Sequence, residues 1–202
     1  MEYLVTMTTH VPPGTSDDAV TDMRAREAAH THGLVEQGAL LRLWRPPLAP
    51  GEWRTFGLFA ANDAEELEKI LAGMPLRVWR SDEVTPLAPH PHDPPPDQRG
   101  PRGSLPEFFT IFTVEFPAEV PAATVDEIVH REAVRAAELA ANGAFARIWR
   151  LPAEAEATRA LGLWRAADDQ QLETFLDSLP MSQWMVIETI PLSVHPSDPA
   201  AA

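Results

Sequence analysis

From Tyr3 to Val11 apolar residues alternate with polar ones: Tyr3, Val5, Met7 and Val11 against Thr6, Thr8 and His10. This period of two is that of a half-buried strand. The period then changes. Val20, Met23, Glu27, His30 and Leu34 fall three and four residues apart, which predicts a helix over 16–37 with Gly38 as its stop. Strands follow over 40–45 and 54–60, around a loop at 46–52. Asp63-Ala-Glu-Glu66 has the form of a capping box and opens a second helix carrying Leu67, Ile70 and Leu71. A last strand is predicted over 78–87. The order β-α-β-β-α-β is the split βαβ, or ferredoxin-like, arrangement.

The same series returns 105 residues later. Glu2–Pro94 aligns with Glu107–Pro199 without a gap, and 31 of the 93 positions are identical. The chain is a tandem duplication, and its expected fold class is α+β: two ferredoxin-like (βαββαβ) repeats packed as an intramolecular dimeric α+β barrel. The expected domains are residues 1–94 and 107–199. Between them, residues 95–106 form a Pro-rich linker; the stretch 89–106 holds seven prolines and two glycines, the composition of a stiff, extended connector.

Composition narrows the function. With 30 acidic against 16 basic side chains the surface is strongly negative, which opposes a phosphate backbone or an anionic membrane. Neither nucleic acid nor a membrane is an expected partner. The chain has no Cys, hence no disulfide framework and no thiolate metal site. The N-terminal residues lack a signal-peptide pattern and no apolar stretch is long enough to span a bilayer, so a cytoplasmic location is expected.

What recurs between the repeats includes polar residues that a core does not need. Glu27 lies on the apolar stripe of its helix between Met23 and Leu34, and Glu132 sits likewise between Ile128 and Leu139. A carboxylate on a buried stripe must be paired or have a raised pKa. Three readings follow: a general acid/base, an internal salt bridge to one of the repeated arginines, or a Glu at the margin of the stripe that reaches solvent. Arg42 and Trp44 share one face of their strand, opposite Leu43 and Arg45; Arg147 and Trp149 repeat this. If the Arg42 face meets the helix, the result is a pocket walled by a carboxylate, a guanidinium and an aromatic ring, suited to a small anionic, unsaturated substrate. Arg54 and Arg159 on the next strand are further anchors. The other reading makes Arg42 and Arg45 bridges between subunits and the tryptophans core. His90-Pro91 and His195-Pro196 recur, followed by Asp93 and Asp198, in tails placed to fold over a pocket mouth. Their spacing does not suggest a metal site. No phosphate loop, nucleophile elbow or nicotinamide fingerprint is present, so cofactor-free acid/base chemistry on a small-molecule substrate remains, with no cofactor expected.

Together these residues resemble the muconolactone Δ-isomerase family. The resemblance rests on Glu27 eleven residues before Gly38, on Arg42-Leu43-Trp44-Arg45, on Met74-Pro75-Leu76 and on His90-Pro91. Repeat two matches through Glu132, Gly143, Arg147-Ile148-Trp149-Arg150, Leu179-Pro180-Met181 and His195-Pro196. The family implies ferredoxin-like dimeric α+β barrels that assemble further, and a cofactor-independent 1,3-proton shift in an unsaturated lactone acid. It places the acid/base role on Glu27 and Glu132, and makes Trp79 and Trp184 the aromatics of the Pro-Leu segment. Arg42 and Arg147 stand where the family carries a His, and family members are single-domain chains. The resulting expectation is an isomerase that moves a proton in an unsaturated lactone or related carbonyl compound, in a pseudo-dimeric chain able to self-associate. The alternatives are a cyclase, dehydratase or cofactor-free oxygenase of a polyketide-like biosynthetic substrate, and a non-catalytic small-molecule binding protein.

Overall fold

The computed structural model describes residues 1–100, 104–153 and 157–201. Strand β1 (Glu2–Thr9) buries every second side chain, Tyr3, Val5, Met7 and Thr9. Helix α1 (Asp17–Glu36) starts at Ser16, whose hydroxyl accepts the Ala19 N–H at 3.3 Å, and Asp17 and Asp18 lie in the first turn, where the helix dipole favours negative charge. It ends two residues before Gly38, whose φ of 71° is the left-handed conformation that closes a helix. Strands β2 (Leu40–Arg45) and β3 (Arg54–Ala60) follow, then α2 (Ala64–Gly73), capped by Asp63 accepting the Glu66 N–H at 2.9 Å, and β4 (Arg80–Pro89).

The second series is β5 (Glu107–Val114), α3 (Ala122–Ala141), β6 (Phe145–Arg150), β7 (Thr158–Arg165), α4 (Asp169–Asp177) and β8 (Met185–Val194). The elements are those the pattern predicts, with one addition. A 3-10 turn, Pro75–Trp79, precedes β4 and delays it, and Ser182–Trp184 does the same before β8. Pro75 has the fixed φ and missing N–H that suit a first helical position, and the turn presents its next N–H, that of Leu76, to Glu27.

The chain divides into two compact units that do not follow the repeat boundary. Unit one is Met1–Leu87 with Ser193–Ala202; unit two is Ala88–Leu192. In unit one the antiparallel order is β4-β1-β3-β2, and the end of β8 adds beside β2 through Trp44 opposite Val194 and Arg45 opposite Ser193. Unit two has the order β8-β5-β7-β6, with Ala88 and Pro89 of β4 opposite Arg150 and Trp149. Each unit thus holds the tail of the other repeat. Within the Pro-rich segment, Pro96–Gln98 is a 3-10 turn and the Gly100 N–H donates to the Ala140 carbonyl at 2.8 Å. A Cβ on Gly100 would stand 2.4 Å from the Gly143 nitrogen, so only glycine fits this approach. Residues 101–103 of the predicted linker lie outside the described residues.

Each unit has its own core between sheet and helices. Unit one packs Tyr3, Val5, Leu40, Phe59, Leu67 and Leu71. Unit two packs Phe108, Phe112, Phe145, Trp164, Leu172 and Leu176. Trp164 stands where unit one has Phe59, and its indole N–H donates to Thr110 Oγ1 at 2.9 Å, where unit one has Val5. Among the described residues no helix is long and apolar enough to cross a membrane.

Candidate active site

Glu27 occupies the middle of α1, half-buried, on the stripe that also buries Met23, Thr31 and Leu34. Its Oε2 accepts the Leu76 N–H at 2.8 Å, and its Oε1 accepts from Arg80 Nη1 at 3.2 Å. The Arg80 side chain is only 2% exposed and also donates from Nη2 to Asp82 Oδ2 at 3.0 Å. Arg77 joins Asp82 and donates to Glu68 at 2.7 Å. A buried guanidinium requires such compensation, since desolvating an unpaired charge costs several kcal/mol in order of magnitude. Glu27 therefore ends a chain of alternating charges.

The free side of Glu27 looks into a cavity of about 510 Å³. Its walls come from Met7 on β1, Leu43 and Arg45 on β2, Thr55 on β3 and Arg24 on α1, whose guanidinium lies 4.4 Å over the Trp53 ring. Arg54 also lines it and pairs with Glu52 at 3.4 Å. The tail supplies His195, Pro196 and Ser197. His195 Nδ1 accepts the Ser197 N–H at 3.1 Å. Burial lowers the pKa of His195 to about 4, the Arg45 charge adding to the effect and Asp198 opposing it. Near neutrality the ring is uncharged, and an uncharged ring that accepts at Nδ1 carries its proton on Nε2.

Unit two repeats this plan with other surroundings. Glu132 is 6% exposed on α3, and its Oε2 accepts the Met181 N–H at 2.9 Å. The position of Arg80 is taken by Met185, and among the described residues Glu132 makes no ion pair. Burial raises its pKa, with the Met181 hydrogen bond pulling the other way. The cavity holds about 290 Å³ and is walled by Phe112, Ala136, Ile148, Ala160 and Trp164. His90 Nδ1 accepts the His92 N–H at 3.1 Å. Its pKa falls to about 4, through burial first and then the charges of His92 and Arg150; burial and Arg150 lower that of His92 as well.

One expectation needs correction. The face of β2 that meets the cavity carries Leu43 and Arg45, not Arg42 and Trp44. Side chains alternate across a strand, so placing Leu43 inward turns both of its neighbours away. Arg42 donates from Nε and Nη2 to Asp198 at 3.1 and 3.0 Å and lies 4.5 Å over the Trp44 ring, and Asp198 also accepts the Leu43 N–H at 3.2 Å. Trp44 is fully buried. Likewise Arg147 donates to Asp93 at 3.1 Å and lies 4.6 Å over the buried Trp149, while the Ile148 N–H reaches Asp93 at 3.0 Å. These arginines and tryptophans are clamps that fasten the His-Pro-x-Asp tails beside the cavities.

Of the other sequence candidates, Glu27 and Arg54 share one cavity and Glu132 lies in the other. Arg159 sits between Thr158 and Ala160, which line the second cavity, and does not line it. Trp79 ends its 3-10 turn away from the first cavity, its carbonyl accepting the His10 N–H at 2.6 Å. The Trp184 ring lies 5.3 Å from that of Phe116, which lines the second cavity, but does not itself line it. Sequence reasoning passed over Arg80, Arg24 with Trp53, and the inward arginines Arg45 and Arg150. The last two recur between the repeats, which was the available signal; Arg80 becomes Met185, so duplication could not reveal it.

Fold and cavities together define an α+β protein of the dimeric α+β-barrel class with a helix-borne glutamate facing a cavity. A solved structure of chlorite dismutase from Candidatus Nitrospira defluvii in complex with imidazole is similar over 97% of this chain and 92% of its own, with a TM-score of 0.58 at 12% identity, a likeness of fold alone. Residues 1–93 and 107–198 each match the family described as muconolactone delta-isomerase, and the chain belongs to that family. The muconolactone Delta-isomerase of Cupriavidus pinatubonensis (strain JMP 134 / LMG 1197) is 34% identical over 91 residues, which are 45% of this chain and 96% of the relative. Muconolactone Delta-isomerase 1 of Acinetobacter lwoffii is 32% identical over 91 residues, 45% of this chain and 92% of its own. The chain is an isomerase by this kinship, with one family unit in each repeat.

Proposed function

We propose that the protein catalyses a cofactor-independent proton shift in an unsaturated lactone or related carbonyl compound, with Glu27 and Glu132 as the groups that move the proton. The observation that carries this reading is the recurrence of one carboxylate at one helix position, facing a cavity and held there by one backbone N–H, from Leu76 or from Met181. The carboxylate takes a proton from the saturated carbon at the far end of the conjugated double bond. The C–H electron pair moves through the carbon framework and charge develops on the carbonyl oxygen as an enolate. The same carboxylic acid then returns the proton to the carbon next to the carbonyl, so the double bond migrates and the carboxylate is restored. One base suffices when both carbons lie on one face of the substrate. The tail imidazole, neutral with its proton on Nε2, is the donor suited to the enolate oxygen: it stabilises the developing charge without protonating the base. His195 does this in unit one and His90 in unit two. The lactone and its family reaction enter through the named relatives, which match 91 residues of the chain, 45% of it, at about one-third identity.

The test is proton NMR of the protein with muconolactone in deuterated buffer, beside the Glu27→Gln/Glu132→Gln variant. Double-bond migration that disappears in the double variant is the expected result. Undiminished turnover in that variant would overturn the assignment of the two glutamates.

A further inference from the structure

The two cavities have the same scaffold and different chemistry, and the differences run in one direction. Arg24 of the first becomes Val129 in the second, Thr9 becomes Val114, and Arg80 becomes Met185. Around the first cavity four arginines face two carboxylates, Glu27 and Glu52. Around the second, the charged groups among the described residues are Glu132 and one arginine, Arg150, with the two tail imidazoles. An anionic ligand entering the second cavity would give up its hydration to face Phe112, Ile148, Trp164 and a buried carboxylate of its own sign, a cost offset by one arginine where the first cavity has four. An uncharged ring would lose nothing comparable and would cover apolar surface.

We propose that the cavity of unit two is a separate site for an uncharged, apolar, unsaturated cyclic ketone or lactone, while the cavity of unit one takes the carboxylate-bearing ligand. At about 290 Å³ the second cavity stands at the small end of small-molecule sites, which suits a ligand of one or two rings. The proton acceptor for such a ligand is Glu132. Without a guanidinium beside it, this carboxylate has a single strong partner, the Met181 N–H, leaving its other oxygen for the substrate. The proposal rests on the reading of both cavities as substrate sites, and its test uses binding alone.

Two probes of one shape separate the charge classes: 2-naphthol, uncharged at neutral pH, and 2-naphthoate, its anionic counterpart. Each cavity carries its own reporter, the indole N–H of Trp53 in the first and of Trp164 in the second. These signals are followed by nitrogen-15 NMR of the whole chain and assigned with Trp53→Phe and Trp164→Phe. We expect 2-naphthol to move the Trp164 signal at concentrations about tenfold below those needed by 2-naphthoate, and the order to reverse at Trp53. Met185→Arg should weaken 2-naphthol at Trp164 by about tenfold and strengthen 2-naphthoate there. Ala136→Leu, a smaller change that fills the same cavity, should abolish the response to both, with an unchanged melting profile as the folding control. The proposal is overturned if 2-naphthoate moves Trp164 at concentrations equal to or below those of 2-naphthol, or if the Trp164 response survives Ala136→Leu in a folded protein. Loss of glutamate dependence in turnover would sink the isomerase reading and leave this binding result standing, so the two failures are distinguishable.

Discussion

The two repeats carry the same glutamate on the same helix and surround it differently. In unit one Glu27 is tied into a buried chain of charges through Arg80, Asp82 and Arg77; in unit two the positions of Arg80 and Asp82 are Met185 and Ile187, and Glu132 stands among apolar side chains with its pKa raised by burial. The two arrangements are different answers to one problem, a carboxylate taken out of water. An ion pair stabilises the charged form, whereas an apolar surround makes the carboxylate a stronger base. The teaching is that duplication preserved the position of the group and released its electrostatics.

The comparison can be broken most directly at the glutamates. Glu27→Gln and Glu132→Gln should each lower turnover of the substrate their unit serves by about 100- to 10,000-fold, the usual contribution of a positioned acid/base, while leaving the other unit's reaction intact. Steady-state assays of the two single variants on anionic and uncharged substrates check this; equal losses on both substrates would mean that the units do not work separately.

Next in size are the tail clamps. Asp198 has a fully buried side chain against Arg42, whereas Asp93 and Arg147 are each about one-fifth exposed. Asp198→Ala should therefore destabilise by about 3–5 kcal/mol, the cost of leaving a buried charge without its partner, and Asp93→Ala by less. Denaturant titration of both variants measures the difference.

A smaller effect is expected in the unit-two core. Thr110→Val removes the acceptor of the Trp164 N–H and should cost about 1–3 kcal/mol, while Thr110→Val with Trp164→Phe, which recreates the Val5 and Phe59 of unit one, should recover most of it. A double variant no more stable than the single one would contradict this account.

The pH response sharpens the comparison further. His90 and His195 have folded-state pKa values lowered from 6.5 to about 4, so each contributes stability that is present above about 6.5 and lost as pH falls through about 4. Glu132 works in the other sense: its raised pKa gives stability that is present below its ordinary value of 4.5 and lost as pH rises through the folded-state value. Acidification from pH 7 to 4.5 should thus weaken the protein, and weaken Glu132→Gln more than the parent. Denaturant midpoints at the two pH values test this, an equal loss in both proteins being the result that contradicts it. In the same spirit, Met185→Arg should shift the acid limb of the unit-two reaction to lower pH, because a neighbouring cation favours the ionised carboxylate.

Much of this was legible in the residues. The strands over 40–45 and 54–60, the cap at Asp63 and the inward turn of Glu27 and Glu132 follow from periodicity and local chemistry, which act over a few residues. The face of β2 was not legible. Leu-Arg-Leu-Trp-Arg offers an arginine to each side of the strand, and the choice depends on Asp198, 156 residues away, which takes Arg42 out of the cavity and leaves Arg45 to line it. The ion pair of Glu27 was hidden for a related reason. Its partner Arg80 lies on a strand whose own pattern is mostly exposed, and only the fold brings the two within 3.2 Å.

The exchanged tails bear on how the two halves of this gene can diverge. His195 and Ser197 complete the cavity that holds Glu27, and His90 and His92 complete the one that holds Glu132, so each cavity is inherited from both halves. The tails differ as the cavities do, with Ser197 in one at the position that His92 holds in the other. Recombination that homogenises the two copies would give a cavity the tail of its own copy in place of the tail it now meets.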